Sequence, residues 1–94
     1  MSLQSVRASV DRQYGLRASN DRIAETAARY HFLARVPMLC ECSDPACAAV
    51  FPIDLEEYWS ARRDYPGCIL TVPGHTVDHA DPALKLDDYW LHLA

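Results

Sequence analysis

Three of the four cysteines in this 94-residue chain stand within eight residues, Cys40-Glu41-Cys42-Ser43-Asp44-Pro45-Ala46-Cys47. That spacing is moderately specific. A Cys-x-Cys pair puts two thiols on one face of an extended strand, because successive side chains alternate sides. Fully extended, their Cα atoms lie about 6.5 Å apart. Sulfurs bound to one tetrahedral zinc at about 2.3 Å stand about 3.8 Å apart, so the strand must curl. Ser43-Asp44-Pro45 supplies the curl: Ser and Asp bond local backbone, and Pro45 presets φ for a turn that carries Cys47 back toward the pair. The stretch is a candidate metal knuckle.

A chain this short buries only roughly 60–65% of the surface its unfolded form exposes, so a metal staple would contribute materially to folding. Half of the residues are apolar and 23% are charged, the composition of a globular domain. No apolar run approaches the ~20 residues of a membrane span, so no membrane association is expected. Residues 1–7 lack the apolar core of a signal peptide, and a cytoplasmic location is expected. There, clustered cysteines serve as ligands more often than as disulfides.

The first 35 residues carry six arginines against three acids, a net +3, and residues 36–94 carry −7. The basic segment is expected to be a solvated face, with an arm for nucleic acid as the alternative. The overall charge of −4 opposes nucleic-acid binding.

Along the chain, residues 1–17 show no firm period and contain Gly15. They are expected to be a loose arm or frayed helical start, preceding a single metal-stapled domain over 18–94. Ser19 or Asn20 can cap a helix near 20–33, with Ile23, Ala27, Tyr30 and Ala34 as its stripe and His31 and Phe32 beside it. Pro37 turns the chain extended. Strands over 36–40 and 48–53 form a hairpin with the knuckle at its tip. Asp54 and Glu57 have capping-box spacing, with Ile53 placed to staple against Tyr58. Leu55, Tyr58, Trp59 and Arg62 share one face of that helix, which Pro66-Gly67 ends. A strand follows over 68–72, then an Asp-rich loop broken by Pro82 over 76–87. A last strand over 89–93 presents Tyr89, Leu91 and Leu93 on one side and Trp90 and His92 on the other. The expected class is α+β: a small antiparallel sheet with two helices in the order α-β-β-α-β-β, stapled by a metal.

A closed tetrahedral site needs a fourth ligand beside Cys40, Cys42 and Cys47. The candidates are His75, His79, Cys68 and, less well, Asp44. His75 is favoured because the sharp Pro73-Gly74 corner can swing its imidazole back over the hairpin tip. Cys68 opens a buried strand as a small hydrophobe, and His79 sits in the acidic loop. A Cys3His set suits Zn2+, with a [2Fe–2S] cluster as the alternative. The CDGSH-type iron–sulfur proteins also begin with Cys-x-Cys, but their third Cys and His lie close together, whereas His75 follows Cys47 by 28 positions.

The runs Asn20-Asp21-Arg22-Ile23, Leu39-Cys40-Glu41-Cys42-Ser43-Asp44-Pro45-Ala46-Cys47, Asp54-Leu55-Glu56-Glu57-Tyr58 and Val72-Pro73-Gly74-His75 resemble a group of short bacterial proteins, mostly actinobacterial, to which no activity is assigned. The resemblance spans about residues 20–75. It implies that His75 partners the three cysteines and that Cys68 belongs to the core. After Pro82 the chain departs from the group, which has a longer charged segment before its last strand.

The function expected from these features is a structural zinc module for protein interaction or regulation, with an unidentified protein as partner. Iron–sulfur or redox-sensing chemistry at the same ligands is the alternative, and oligomeric state is left open. The chain has no deaminase-type His-x-Glu with Pro-Cys-x-x-Cys and no Gly-rich phosphate loop, and it is not expected to be an enzyme.

Overall fold

The computed structural model describes residues 3–30 and 35–94, with side chains from residue 11 onward. Its element order is α1 (Leu3–Arg29), β1 (Val36–Leu39), β2 (Val50–Ile53), α2 (Leu55–Asp64), β3 (Ile69–Thr71), β4 (Asp81–Lys85) and β5 (Trp90–Leu93). The expected order of helices and strands is present, with one strand added. No helix among the described residues is long and apolar enough to cross a membrane.

The first helix departs from expectation at its start. It begins at Leu3, so residues 3–17 are helical backbone, the second of the two expected forms and continuous with the helix after them, and Ser19 and Asn20 lie inside the helix instead of capping it. Gly15 has open space where a side chain would stand and causes no break. Asn20 is fully buried, as are Ala24 and Ala27, while Tyr30 is exposed. The packing stripe is thus rotated from the expected one: Ile23 is only partly buried, and Ala34, His31 and Phe32 lie outside the described residues. Asn20 does not stop the helix because its amide is satisfied by tertiary partners: Nδ2 donates to Leu39 O at 2.9 Å, and Leu39 N–H donates to Oδ1 at 2.7 Å.

β1 and β2 form the expected hairpin, antiparallel and in the register Val36↔Ile53, Pro37↔Pro52, Met38↔Phe51 and Leu39↔Val50. Two prolines face each other, which requires a pair that exchanges no N–H···O bonds. The alternate positions Val36, Met38, Phe51 and Ile53 are buried. One step beyond, Cys40 N–H donates to Ala49 O at 3.0 Å, so the ladder delivers Cys40 to the hairpin's mouth.

The other strands form a second antiparallel sheet, ordered β3-β5-β4, instead of joining the first. β4 occupies the middle of the expected 76–87 loop. Asp81–Lys85 is exposed throughout, and its register slips between Pro82 and Leu84. Pro82 is compatible with a strand only because this one is an edge, where a missing N–H costs no ladder bond. In β5 both faces are covered: Leu91 and His92 are both about 1% exposed, so the expected alternation holds for direction but not for burial.

Asp54 occupies the N-cap position of α2, and its C=O accepts from Tyr58 N–H at 2.9 Å, but its side chain makes no cap bond. The expected capping box is therefore not formed. Glu57 instead accepts from Tyr89 Oη at 2.9 Å, and Asp54 stands 3.9 Å from Arg35. Ile53 and Tyr58 are both fully buried in the core, which also holds Met38, Phe51, Leu70 and Leu91.

Candidate metal centre

The knuckle leaves β1 at Cys40 and is closed by its own turn. Ala46 N–H donates to Asp44 Oδ1 at 2.9 Å and Cys47 N–H to Asp44 O at 3.1 Å, the local bonds that an Asp-Pro turn provides. The opposite wall is the Val72–His75 turn. His75 N–H donates to Val72 O at 3.1 Å, and Gly74 has φ +86°. Pro at the second position and a positive-φ glycine at the third define a type II turn, which fixes where the imidazole projects. Ser43 joins the two walls: its N–H donates to Thr76 O at 3.2 Å, and Asp78 N–H donates to its Oγ at 2.9 Å.

These two turns bring Cys40, Cys42, Cys47 and His75 together, with one ligand atom from each lying within 4.8 Å of every other. His75 Nδ1 lies 3.4 Å from Cys40 Sγ and 3.6 Å from Cys47 Sγ. Of the rival fourth ligands, Cys68 is buried against α2, with its Sγ 3.7 Å from Ala61 O and 3.6 Å from Arg62 Nη1. His79 lines a separate small cavity beside Tyr14 and Arg17. Asp44 spends a carboxylate oxygen on the turn.

The donor set suits a cation. Each cysteine sulfur is approached by a backbone N–H two residues on, from Cys42, Asp44 and Ala49 respectively, and Cys40 Sγ also accepts from Val72 N–H at 3.3 Å. Burial nevertheless pushes the Cys40 thiol up to about 12 and raises Cys42. Burial pushes Cys47 the same way but is outweighed by the Ala49 N–H and the neighbouring thiols, which leave it lowered. Without a cation Cys40 keeps its proton at neutral pH, so metal binding here must release protons.

Glu41, between the first two ligands, organises what lies behind the site. It is 1% exposed, and its carboxylate receives three donors: Asn20 Nδ2 at 2.7 Å and Arg62 Nη2 at 2.5 Å on Oε2, and Leu70 N–H at 3.0 Å on Oε1. Its own N–H donates to Leu70 O at 2.9 Å, so backbone and side chain together join the knuckle to β3. Arg62, 8% exposed, also donates to Cys68 O at 2.7 Å and to Tyr58 Oη, which in turn donates to Asp21. Burial alone would lower the Arg62 pKa, but the neighbouring Glu41 side chain outweighs it and the pKa is raised. Burial, with the Asp21 bond, raises Tyr58 and keeps it a phenol. On the outer side, Arg12 donates to the carbonyls of Cys42 and Cys47, and Gln13 to Glu41 O and Ser43 Oγ. Two side chains of the expected loose arm thus hold the knuckle, and Arg12 is committed to it.

Sequence reading picked out the four residues that these turns bring together but missed Asn20, Glu41 and Arg12. The signal for Glu41 was present: period-two alternation turns it away from Cys40 and Cys42, toward the interior. The helix stripe likewise pointed Arg62 inward, where an arginine requires an anion. Comparison with known protein families, with curated proteins and with solved structures gives no match.

Proposed function

We propose that this protein is a small structural zinc module that serves protein interaction or regulation, and that Cys40, Cys42, Cys47 and His75 are its four ligands. The observation that carries this is the Sγ–Nδ1 spacing of 3.4 and 3.6 Å. Zn–S and Zn–N bonds of about 2.3 and 2.05 Å at a tetrahedral angle put sulfur and nitrogen about 3.6 Å apart. Ligands divided between the two irons of a [2Fe–2S] cluster stand farther apart, so the spacing favours one ion. Four protein donors complete a tetrahedral zinc shell, which suits a structural site better than a catalytic one. Three thiolates and a neutral imidazole leave Zn2+ with a net −1, which the N–H groups aimed at the sulfurs and the Arg12 guanidinium help to offset. Zinc would hold the hairpin tip to the Val72–His75 turn, and its binding free energy would go into folding.

The test is metal analysis of the purified chain with its visible spectrum, together with single-ligand variants. One zinc per chain, no visible absorption, loss of zinc in His75→Ala and retention in Cys68→Ser and His79→Ala are expected. Iron with acid-labile sulfide would overturn the zinc assignment. Retention in His75→Ala would remove His75 from the ligand set.

A further inference from the structure

Beside α2, on a wall of the fold that the zinc ligands do not touch, lies a groove of about 760 Å³ between the helix and the β4–β5 hairpin. Its apolar surface is contributed by Leu55, Ala61, Tyr65, Leu84 and Tyr89. Leu84 is 38% exposed and Tyr65 36% exposed, so the apolar surface reaches solvent. The charged positions along it are all carboxylates, Asp54, Glu56, Glu57 and Asp64, and no basic residue lines it.

Two of the basic residues nearby are engaged elsewhere. Arg62 is drawn to the opposite side of α2 by Glu41, and Lys85 lies over the Trp90 ring, 4.7 Å from its centroid. Arg63 and Arg35 reach Asp64 and Asp54 only as exposed ion pairs, of the kind a partner's cation replaces at little cost. The groove is thus apolar along its floor and anionic along its walls. Its strand edge is also guarded. Pro82 offers no N–H, and the register slip at Pro82/Leu84 distorts the ladder, so an added β-strand is disfavoured there. A partner must dock through side chains.

We propose that this groove docks a short basic amphipathic helix of another protein. The partner's aliphatic side chains would rest on Leu55, Leu84 and Tyr65, and its Lys or Arg side chains would reach Glu56, Glu57 and Asp64. Helix-in-groove recognition meets both demands, because residues at i, i+3, i+4 and i+7 share an apolar face while the flanking positions carry charge. The inference rests on reading the chain as an interaction module, but the groove is remote from the metal ligands and the two fail separately.

The test uses zinc-loaded full-length chain and two synthetic helical peptides of identical pattern, one Leu/Lys and the other Leu/Glu, followed by calorimetry and amide chemical-shift mapping. Saturable one-to-one binding of the Leu/Lys peptide is expected, with shifts confined to α2, β4 and β5 and affinity falling with salt. Glu56→Lys with Asp64→Lys, and separately Leu84→Ser, should each weaken binding about tenfold or more while leaving the thermal transition in place, since all three residues lie at the surface. Equal binding of the Leu/Glu peptide, shifts spread over α1, or folded variants that bind like wild type would overturn the proposal. Self-association that Glu56→Lys abolishes would assign the groove to a second copy of this chain and also overturn it. Full zinc content with no peptide binding defeats the docking alone, whereas a folded sample that binds peptide without metal defeats the zinc reading alone.

Discussion

Removing the Glu41 carboxylate should be the most damaging single change away from Cys40, Cys42, Cys47 and His75. Glu41 and Arg62 form an ion pair at 2.5 Å whose side chains are 1% and 6% exposed. Such a pair is not necessarily a net gain over apolar residues of the same shape, because desolvation offsets most of the attraction. Breaking it is different. Glu41→Ala leaves the Arg62 guanidinium buried without an anion, strands Leu70 N–H and removes one of the two acceptors of Asn20 Nδ2, which keeps Leu39 O, for an expected loss of about 3–5 kcal/mol. Against a net stability of about 5–15 kcal/mol, that is a large share. For a domain of this size it corresponds to a fall of more than about 12 °C in thermal midpoint.

Glutamine is no conservative replacement, since the three groups converging on the carboxylate are all donors and an amide must point its NH2 at one of them. The assay is thermal and denaturant unfolding of metal-loaded Glu41→Ala, Arg62→Ala and the double variant. The two single losses should overlap, so that the double variant loses less than their sum by about 0.5–3 kcal/mol. Metal content below the transition should be retained, because Glu41 is not a ligand. A Glu41→Ala loss under about 1 kcal/mol, or strict additivity of the two changes, would refute the reasoning.

Metal removal should be more severe still: structural zinc contributes roughly 10 kcal/mol or more of apparent binding free energy, so a thermal midpoint unchanged after verified metal removal would exclude a staple. Asp54→Ala should stay within about 0.5 kcal/mol of wild type, since the side chain makes no cap bond that its loss could break; a loss of 1 kcal/mol or more in chemical denaturation would show that a cap forms in solution. His92, buried with Nε2 at 2.8 Å from Thr71 Oγ1, has its pKa lowered by burial. The unfolded imidazole therefore binds the proton first, and this residue's contribution to stability is complete above about pH 6.5 and is lost progressively as pH falls from there through the lower folded pKa. A His92 ring-proton titration midpoint above 6.5, measured by NMR, would reverse the sign.

What the sequence made legible was local. A Cys-x-Cys pair followed by Ser-Asp-Pro and Cys is a turn written in a few residues, and Val-Pro-Gly-His is another. The ligand geometry needs little beyond those two turns meeting, and the order of elements up to β3 was readable from the same kind of signal. What was not legible depended on distant partners. Asn20 is a strong cap residue by propensity, and only Leu39 and Glu41, 19 and 21 positions away, make it an interior helix residue instead. Asp54 and Glu57 have cap spacing, but Tyr89, 32 positions on from Glu57, takes its carboxylate. Residues 81–85 carry weak strand propensity and a proline, and they become a strand because β5 offers an edge. Local propensities differ by only about 1 kcal/mol, and one buried charge-assisted bond outweighs that. The exception is instructive. Arg62 on an apolar helix face was itself a long-range statement, because a buried guanidinium requires an anion. The acid that could meet it had to face inward, and Glu41, held between two converging thiols, was the residue the chain had already turned toward the core.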